Sequence, residues 1–285
     1  MPTGKPGTEL QVFDDLTQFS KAVEVAGFAF DFQSLTKLNI NFFEPSDRYL
    51  ILNIKDYGDD PNNLLFLNED KTFLYSKVPP PQKAFETFEK VYSKPYGKST
   101  VLAFVTLNKA LTSYKKKLEA LINSMREFEQ NFDAKRYREL TFEYAALYDR
   151  VEDFNDIVIR LEESGIKEVE TRLISFDYSV LIAESASLLD RCRNRLNMLK
   201  DIARDHEMQT ATEFNKRLER LNVLIMKLTA LTIIFMTPNI IAGHFGMNFA
   251  YMPELRVPWV YPAVIASQIA IVLSLIVVFR RMKWL

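Results

Sequence analysis

The chain has 285 residues, 36 Lys plus Arg against 37 Asp plus Glu, and a formal net charge of −1. That balance, with no basic patch carrying interleaved aromatics, argues against nucleic-acid binding. The one cysteine, Cys192, excludes an internal disulfide and a cysteine-based zinc site within one chain. At the start, Met1-Pro2-Thr3-Gly4-Lys5-Pro6 lacks the apolar core of a signal peptide, so the long polar part is expected to stay in the cytosol.

Residues 1–100 read as a cytosolic α/β domain. Arg48 to Ile54 and Leu64 to Leu67 have strand character, and Glu69-Asp70-Lys71 turns into a hairpin partner, Thr72 to Tyr75. Pro79-Pro80-Pro81 opens a predicted helix through Tyr92, since proline is tolerated in a first helical turn. Residues 101–167 read as an antiparallel helical hairpin. Leu107, Leu111, Tyr114, Leu118, Leu121, Met125, Phe128 and Phe132 alternate in steps of four and three. After a break near 131–136 the pattern resumes with Tyr137, Leu140, Tyr144, Leu147, Val151, Phe154, Val158 and Leu161. Such 3.5-residue repeats mean packed, supercoiling helices, and this stripe is core.

Residues 168–222 form a predicted stalk helix. Phe214, Leu218, Leu221, Ile225 and Leu228 keep the four-three spacing into the next segment, so one helix serves both. Residues 223–279 hold only Lys227, Glu254 and Arg256 as ionised side chains. Within them, 223–243 and 260–279 are each long enough to cover about 30 Å, a bilayer's hydrocarbon. The second is apolar all round, which is rare for a helix outside a large core. Arg217, Arg220 and Lys227 flank the first span, and the basic tail 280–285 follows the second. The positive-inside rule therefore puts both ends of the hairpin in the cytosol and the loop 244–259 outside. Trp259, Tyr261 and Trp284 supply interfacial aromatics.

Asn222, Thr229, Thr232, Met236 and Asn239 step by seven, three, four and three, one stripe of the first span. An unpaired amide in hydrocarbon is costly, so the stripe faces other helices or water. Helix–helix contact and a water-filled path both satisfy that requirement.

Between the spans stands Phe245-Gly246-Met247-Asn248-Phe249, then Met252-Pro253-Glu254-Leu255, and the second span ends in Arg280-Arg281-Met282-Lys283-Trp284-Leu285. In this order and place these runs resemble the signature of the CorA family of divalent-cation channels. The resemblance is specific over roughly residues 215–285 and rests on architecture upstream. It implies an α+β protein: an N-terminal cytosolic α/β domain, a long helical stalk and a two-helix transmembrane hairpin, assembled as a funnel-shaped homopentamer in the cell (inner) membrane. The number five comes from the family alone.

The resemblance further implies passive, membrane-potential-driven magnesium influx, with cobalt and nickel as alternative ions. Gly246, Met247 and Asn248 would form the selectivity filter. Asn222, Ile225, Leu228, Thr229, Thr232, Met236 and Asn239 would line the pore, the apolar rings gating by dewetting. Magnesium dehydrates reluctantly, and a ring of neutral Asn248 amides can accept hydrogen bonds from its water shell without stripping it. Glu254 stands where the family has an acid that attracts cations, although a solvated loop carboxylate reads the same way. Lys227, Arg280, Arg281 and Lys283 look like the family's basic collar, and such charges also anchor a span. No cofactor is required, and no nucleotide motif is present. A divalent ion gains about 4.6 kcal/mol per 100 mV.

The chain departs from the family's pattern around the filter and in the stalk. Phe245 replaces the usual tyrosine, Pro238 falls one place late, and His244 precedes the filter as a candidate metal or pH ligand. Regulatory magnesium is expected at acidic sites, yet Ala211 occupies the stalk position of the family's aspartate. Asp201, Asp205, Glu207 and Glu213 are the substitutes, or an ordinary solvated face, so feedback closure is expected to be weaker or differently placed. The rivals are a zinc transporter of the ZntB-like branch, which usually varies the Gly-Met-Asn triplet, and a non-conducting membrane scaffold. With no nucleophile–base pair visible, an enzyme is not expected.

Overall fold

The computed structural model describes residues 9–38, 40–57, 62–130, 132–247 and 252–285. Strands β1 (Glu9–Phe13), β2 (Phe42–Pro45), β3 (Leu50–Lys55), β4 (Asn62–Leu67) and β5 (Lys71–Tyr75) form one sheet in the order β1-β5-β4-β3-β2. β1 runs parallel to β5, and the other neighbours are antiparallel. Helices α1 (Leu16–Val25) and α2 (Phe32–Lys37) begin at Asp15 and Asp31, whose carboxylates accept from the Thr17 and Ser34 N–H groups at 2.7 and 3.0 Å. Each cap satisfies a donor that the first helical turn leaves without a partner.

All six residues of β3 are buried, because both faces of the sheet are covered. Side chains alternate along a strand, so Ile51 joins Phe19, Val23, Phe32, Phe66 and Phe73 under α1 and α2. Leu50, Leu52 and Ile54 pack the other way, with Leu107, Leu111 and Tyr114 of α3 (Gly97–Gln130). The expected helix from Pro79 through Tyr92 is replaced by two short 3-10 turns, Gln82–Ala84 and Glu86–Phe88. Phe85, Phe88 and Val91 recur every third residue, and the Phe88 and Val91 N–H groups bond the carbonyls three residues back at 3.0 and 2.9 Å. That is the 3-10 period, which eclipses these side chains on one edge.

α3 starts where Tyr96 turns the backbone at φ 58° and Gly97 passes against the preceding segment. A Cβ on Gly97 would stand 1.9 Å from the Val91 carbonyl oxygen, so only glycine fits. α4 (Ala134–Glu163) is capped by Asp133, which accepts from the Arg136 N–H at 3.0 Å, and packs antiparallel on α3 through the four-three stripe. Tyr114, fully buried, ties hairpin to sheet: its hydroxyl donates to the Lys55 carbonyl and accepts from Asn41 Nδ2 at 3.4 Å.

α5 runs from Ser175 to Phe245, preceded by a 3-10 turn at Thr171–Ile174. Its first part belongs to the sheet-and-hairpin unit, residues 1–204. There Tyr178 donates to the Val158 carbonyl at 2.8 Å, Ser185 to Asn155 Oδ1 at 2.8 Å, and burial pushes the Cys192 thiol up to about 11. The second unit, residues 205–285, holds the rest of α5 and α6 (Val260–Arg281). Both helices contain stretches long and apolar enough to cross a membrane. Pro238 lies inside α5 without ending it. Ala230, Ile234 and Phe279 are buried together, with Val272, Leu275, Ile276 and Trp284 packed around them.

Candidate cation path

The polar stripe of α5 follows from spacing. At about 100° per residue, Asn222, Ile225, Leu228, Thr229, Thr232, Met236 and Asn239 occupy a face roughly 120° wide. All seven are exposed within the chain. Ala230 and Ile234, which meet Phe279 of α6, lie roughly 160° round the helix from the centre of that face. The hairpin thus commits one side of α5 to its own second helix and leaves the opposite side, amides and hydroxyls included, exposed and without a tertiary partner among the described residues. A row of exposed amides on an apolar helix is stable in a bilayer only beside water or other copies.

The threonines are oriented. Thr229 donates its hydroxyl proton to the Ile225 carbonyl at 2.8 Å and Thr232 to the Leu228 carbonyl at 2.8 Å. With the proton committed, each oxygen offers only acceptor capacity outward. Thr237 makes the same bond, to Ile233 at 2.9 Å, but lies off the stripe. Sequence spacing found the stripe; these hydroxyl orientations, and the α6 contact on the far side, were not legible in it. The small residue Ala230, where Phe279 approaches, was the available signal for the contact.

Beyond the stripe, α5 ends at Phe245. The Gly246 N–H bonds the Ala242 carbonyl at 2.9 Å, and a Cβ there would come within 3.3 Å of the same oxygen. Met247 is exposed, and its N–H reaches the His244 carbonyl at 3.3 Å. Asn248 lies outside the described residues. His244 is exposed and packs edge-on against Phe245 at 5.6 Å. Glu254 is exposed in a short turn, Pro253–Arg256. Lys227 shares the α6 side with Ala230 and Ile234, away from the stripe, and Arg280, Arg281 and Lys283 stand exposed at the end of α6. Asp201, Asp205, Glu207 and Glu213 are all exposed on α5. Among the described residues no group of three or more His, Cys, Asp or Glu side chains gathers to hold a metal ion.

A sequence profile described as "CorA-like Mg2+ transporter protein" matches residues 12–281. The cobalt/magnesium transport protein CorA of Thermotoga maritima is 47% identical over 64 residues, 22% of this chain and 18% of that one. The magnesium transport protein CorA of Campylobacter jejuni is 30% identical over 112 residues, 39% of this chain and 32% of that one. The chain thus spans about a fifth to a third of the length of these curated relatives. The complete CorA magnesium transporter from Methanocaldococcus jannaschii has a TM-score of 0.57 at 18% identity, covering 97% of this chain and 90% of that one. The cytoplasmic domain of ZntB from Vibrio parahaemolyticus gives 0.55 at 10% identity, covering 74% and 91%. At these identities the structural likeness speaks for the fold alone.

Proposed function

Because the chain belongs to the CorA-like Mg2+ transporter family, we propose that it conducts hydrated divalent cations passively across the membrane. Magnesium is the main ion, with cobalt and nickel as alternatives, and the path is built from α5 helices of several copies, five by family resemblance. The observation that carries this reading is the unpartnered polar face of α5, turned away from α6. Neutral oxygens suit a hydrated ion: they accept hydrogen bonds from its water shell, whereas carboxylates would hold it and slow its exit. None of the seven stripe residues is acidic.

Asn248, repeated around the outer mouth, selects the ion, with Gly246 and Met247 shaping the approach and Glu254 concentrating cations outside. Ile225, Leu228 and Met236 supply dewetting rings. The N-terminal domain and the basic tail are cytosolic. Entry is driven by the membrane potential, about 4.6 kcal/mol per 100 mV for a divalent ion. The intact Gly246-Met247-Asn248 run supports magnesium over zinc. Exposed, dispersed acids on α5 support weak cytosolic feedback rather than a tight regulatory metal site. Magnesium flux into proteoliposomes tests the whole reading: wild type should conduct, Asn248→Ala should lose magnesium preference, and a cationic hexammine complex should block. Equal flux from wild type and Asn248→Ala, unblocked by the complex, would refute it.

A further inference from the structure

We propose that the cytosolic end of α6 is a docking point for an anionic phospholipid headgroup, gripped by Arg280, Arg281 and Lys283, with Lys227 on the facing side of α5. The inference goes beyond ion conduction and rests on the proposed topology, in which α6 crosses a bilayer and ends on the cytosolic side.

The local geometry is a complete Schellman turn. The Lys283 N–H donates to the Arg280 carbonyl at 3.1 Å and the Trp284 N–H to the Phe279 carbonyl at 2.9 Å. The Trp284 ring then folds back and stacks on Phe279, centroids 5.6 Å apart and planes 17° from parallel. Phe279 is itself buried against Ala230 and Ile234, so the tip of α6 is fixed to α5 instead of trailing into solvent. The left-handed position of such a turn normally falls to glycine, which adopts it without steric cost. Here Lys283 occupies it at φ 58°. The chain accepts an unfavourable backbone in order to hold an ammonium group at that corner.

The charge has no internal use. Arg280, Arg281 and Lys283 are exposed, and none has an ion-pair partner among the described residues. No acidic side chain occurs between Arg256 and Leu285. Lys227, one turn before Ala230 and on the same side of α5, adds a fourth cation. Lys227 lies on the side of α5 that meets α6, roughly 160° from the centre of the polar stripe, and is thus turned away from the proposed ion path. Guanidinium groups pair bidentately with phosphate oxygens, and a half-buried indole stacked at the helix end suits the headgroup level. The negative leaflet facing the cytosol supplies phosphates at this depth.

The test uses the full chain carrying Trp259→Phe, which leaves Trp284 as the sole tryptophan. It is reconstituted in phosphatidylcholine vesicles doped with spin-labelled phosphatidylglycerol or with spin-labelled phosphatidylcholine. The anionic label should quench Trp284 at about five-fold lower mole fraction or better, the weight of a single basic contact. R280Q/R281Q/K283Q should bring the two lipids to parity with Trp284 emission at its original wavelength. If that variant loses the turn and its emission shifts red, Lys283→Gly, which favours the turn, must still lower the preference. Equal quenching by both lipids in the parent, or preference unchanged in Lys283→Gly and the triple variant, overturns the proposal. Loss of the phosphatidylglycerol preference on adding millimolar inorganic phosphate, but not chloride at equal ionic strength, would reassign the site to a soluble anion, and overturns it too.

Discussion

Thr232→Val removes a hydroxyl without changing shape, and the structure sets what is lost. The proton of that hydroxyl is already given to the Leu228 carbonyl at 2.8 Å, so the stripe loses one acceptor per copy and no donor. A hydrogen bond exchanged against water is worth about 1 kcal/mol net. If an ion's water shell leans on one such oxygen at the barrier, the rate falls about five-fold. The backbone is no worse off, because the Leu228 carbonyl keeps its helical partner. Thr237→Val is the matched control: its hydroxyl makes the same backward bond at 2.9 Å but faces off the stripe, so flux should stay within about two-fold of wild type. Both variants would be reconstituted at equal protein density, and magnesium entry followed with an internal dye at fixed potential. Thr232→Val conducting as well as wild type, or Thr237→Val impaired as much, would show that the seven residues do not face the ion.

Two further expectations concern the first unit. Tyr114→Phe strips the hydroxyl that links the Lys55 carbonyl to Asn41, and the fold should lose about 1–3 kcal/mol. Chemical denaturation followed by tyrosine fluorescence reads this, and a loss below about 0.5 kcal/mol would mean that water replaces the link. Burial, reinforced by the nearby Glu69 charge, raises the Glu168 carboxyl above its ordinary range. A raised folded value means that the native state holds its proton more tightly than the unfolded chain. Stability should therefore fall as pH climbs from the ordinary carboxylate range through the raised value. Glu168→Gln should be neutral in acid and stabilising at neutral pH in thermal melts; a destabilised variant at neutral pH contradicts the assignment.

How far the sequence reached depended on whether pattern and packing were local. β3, β4 and β5 were visible as apolar runs with a turn between the last two, because a strand buried on both faces leaves just that mark. β1 was not, since Glu9–Phe13 is short and its place is set by parallel pairing with distant β5. β2 was missed too, for another reason: Phe42–Pro45 is only four residues long and ends in proline. The core stripe of the helical hairpin, Leu107 to Leu161, was legible as a four-three repeat, while the helix bounds, Gly97–Gln130 and Ala134–Glu163, differ by a few residues from those expected. The segment after Pro81 misled, because prolines that open a first helical turn were taken to start an α-helix, whereas the bonds that follow close over three residues. In the candidate path, periodicity located the stripe, but only the meeting of Phe279 with Ala230 and Ile234 shows which side of α5 is already occupied. No local pattern encodes the partner of a helix face.

Pro238 has a consequence for the span that contains it. Lacking an N–H, it cannot serve the carbonyl of Ile234, four residues earlier, and its ring crowds that same oxygen. In hydrocarbon that carbonyl needs another donor, from a neighbouring helix, a hydroxyl, water or a local change of helical pitch. Slack is therefore concentrated at a single turn in the last third of the span, beside the contact of Ile234 with Phe279. A pore built from such rods would flex there first, widening or narrowing without unwinding anything else.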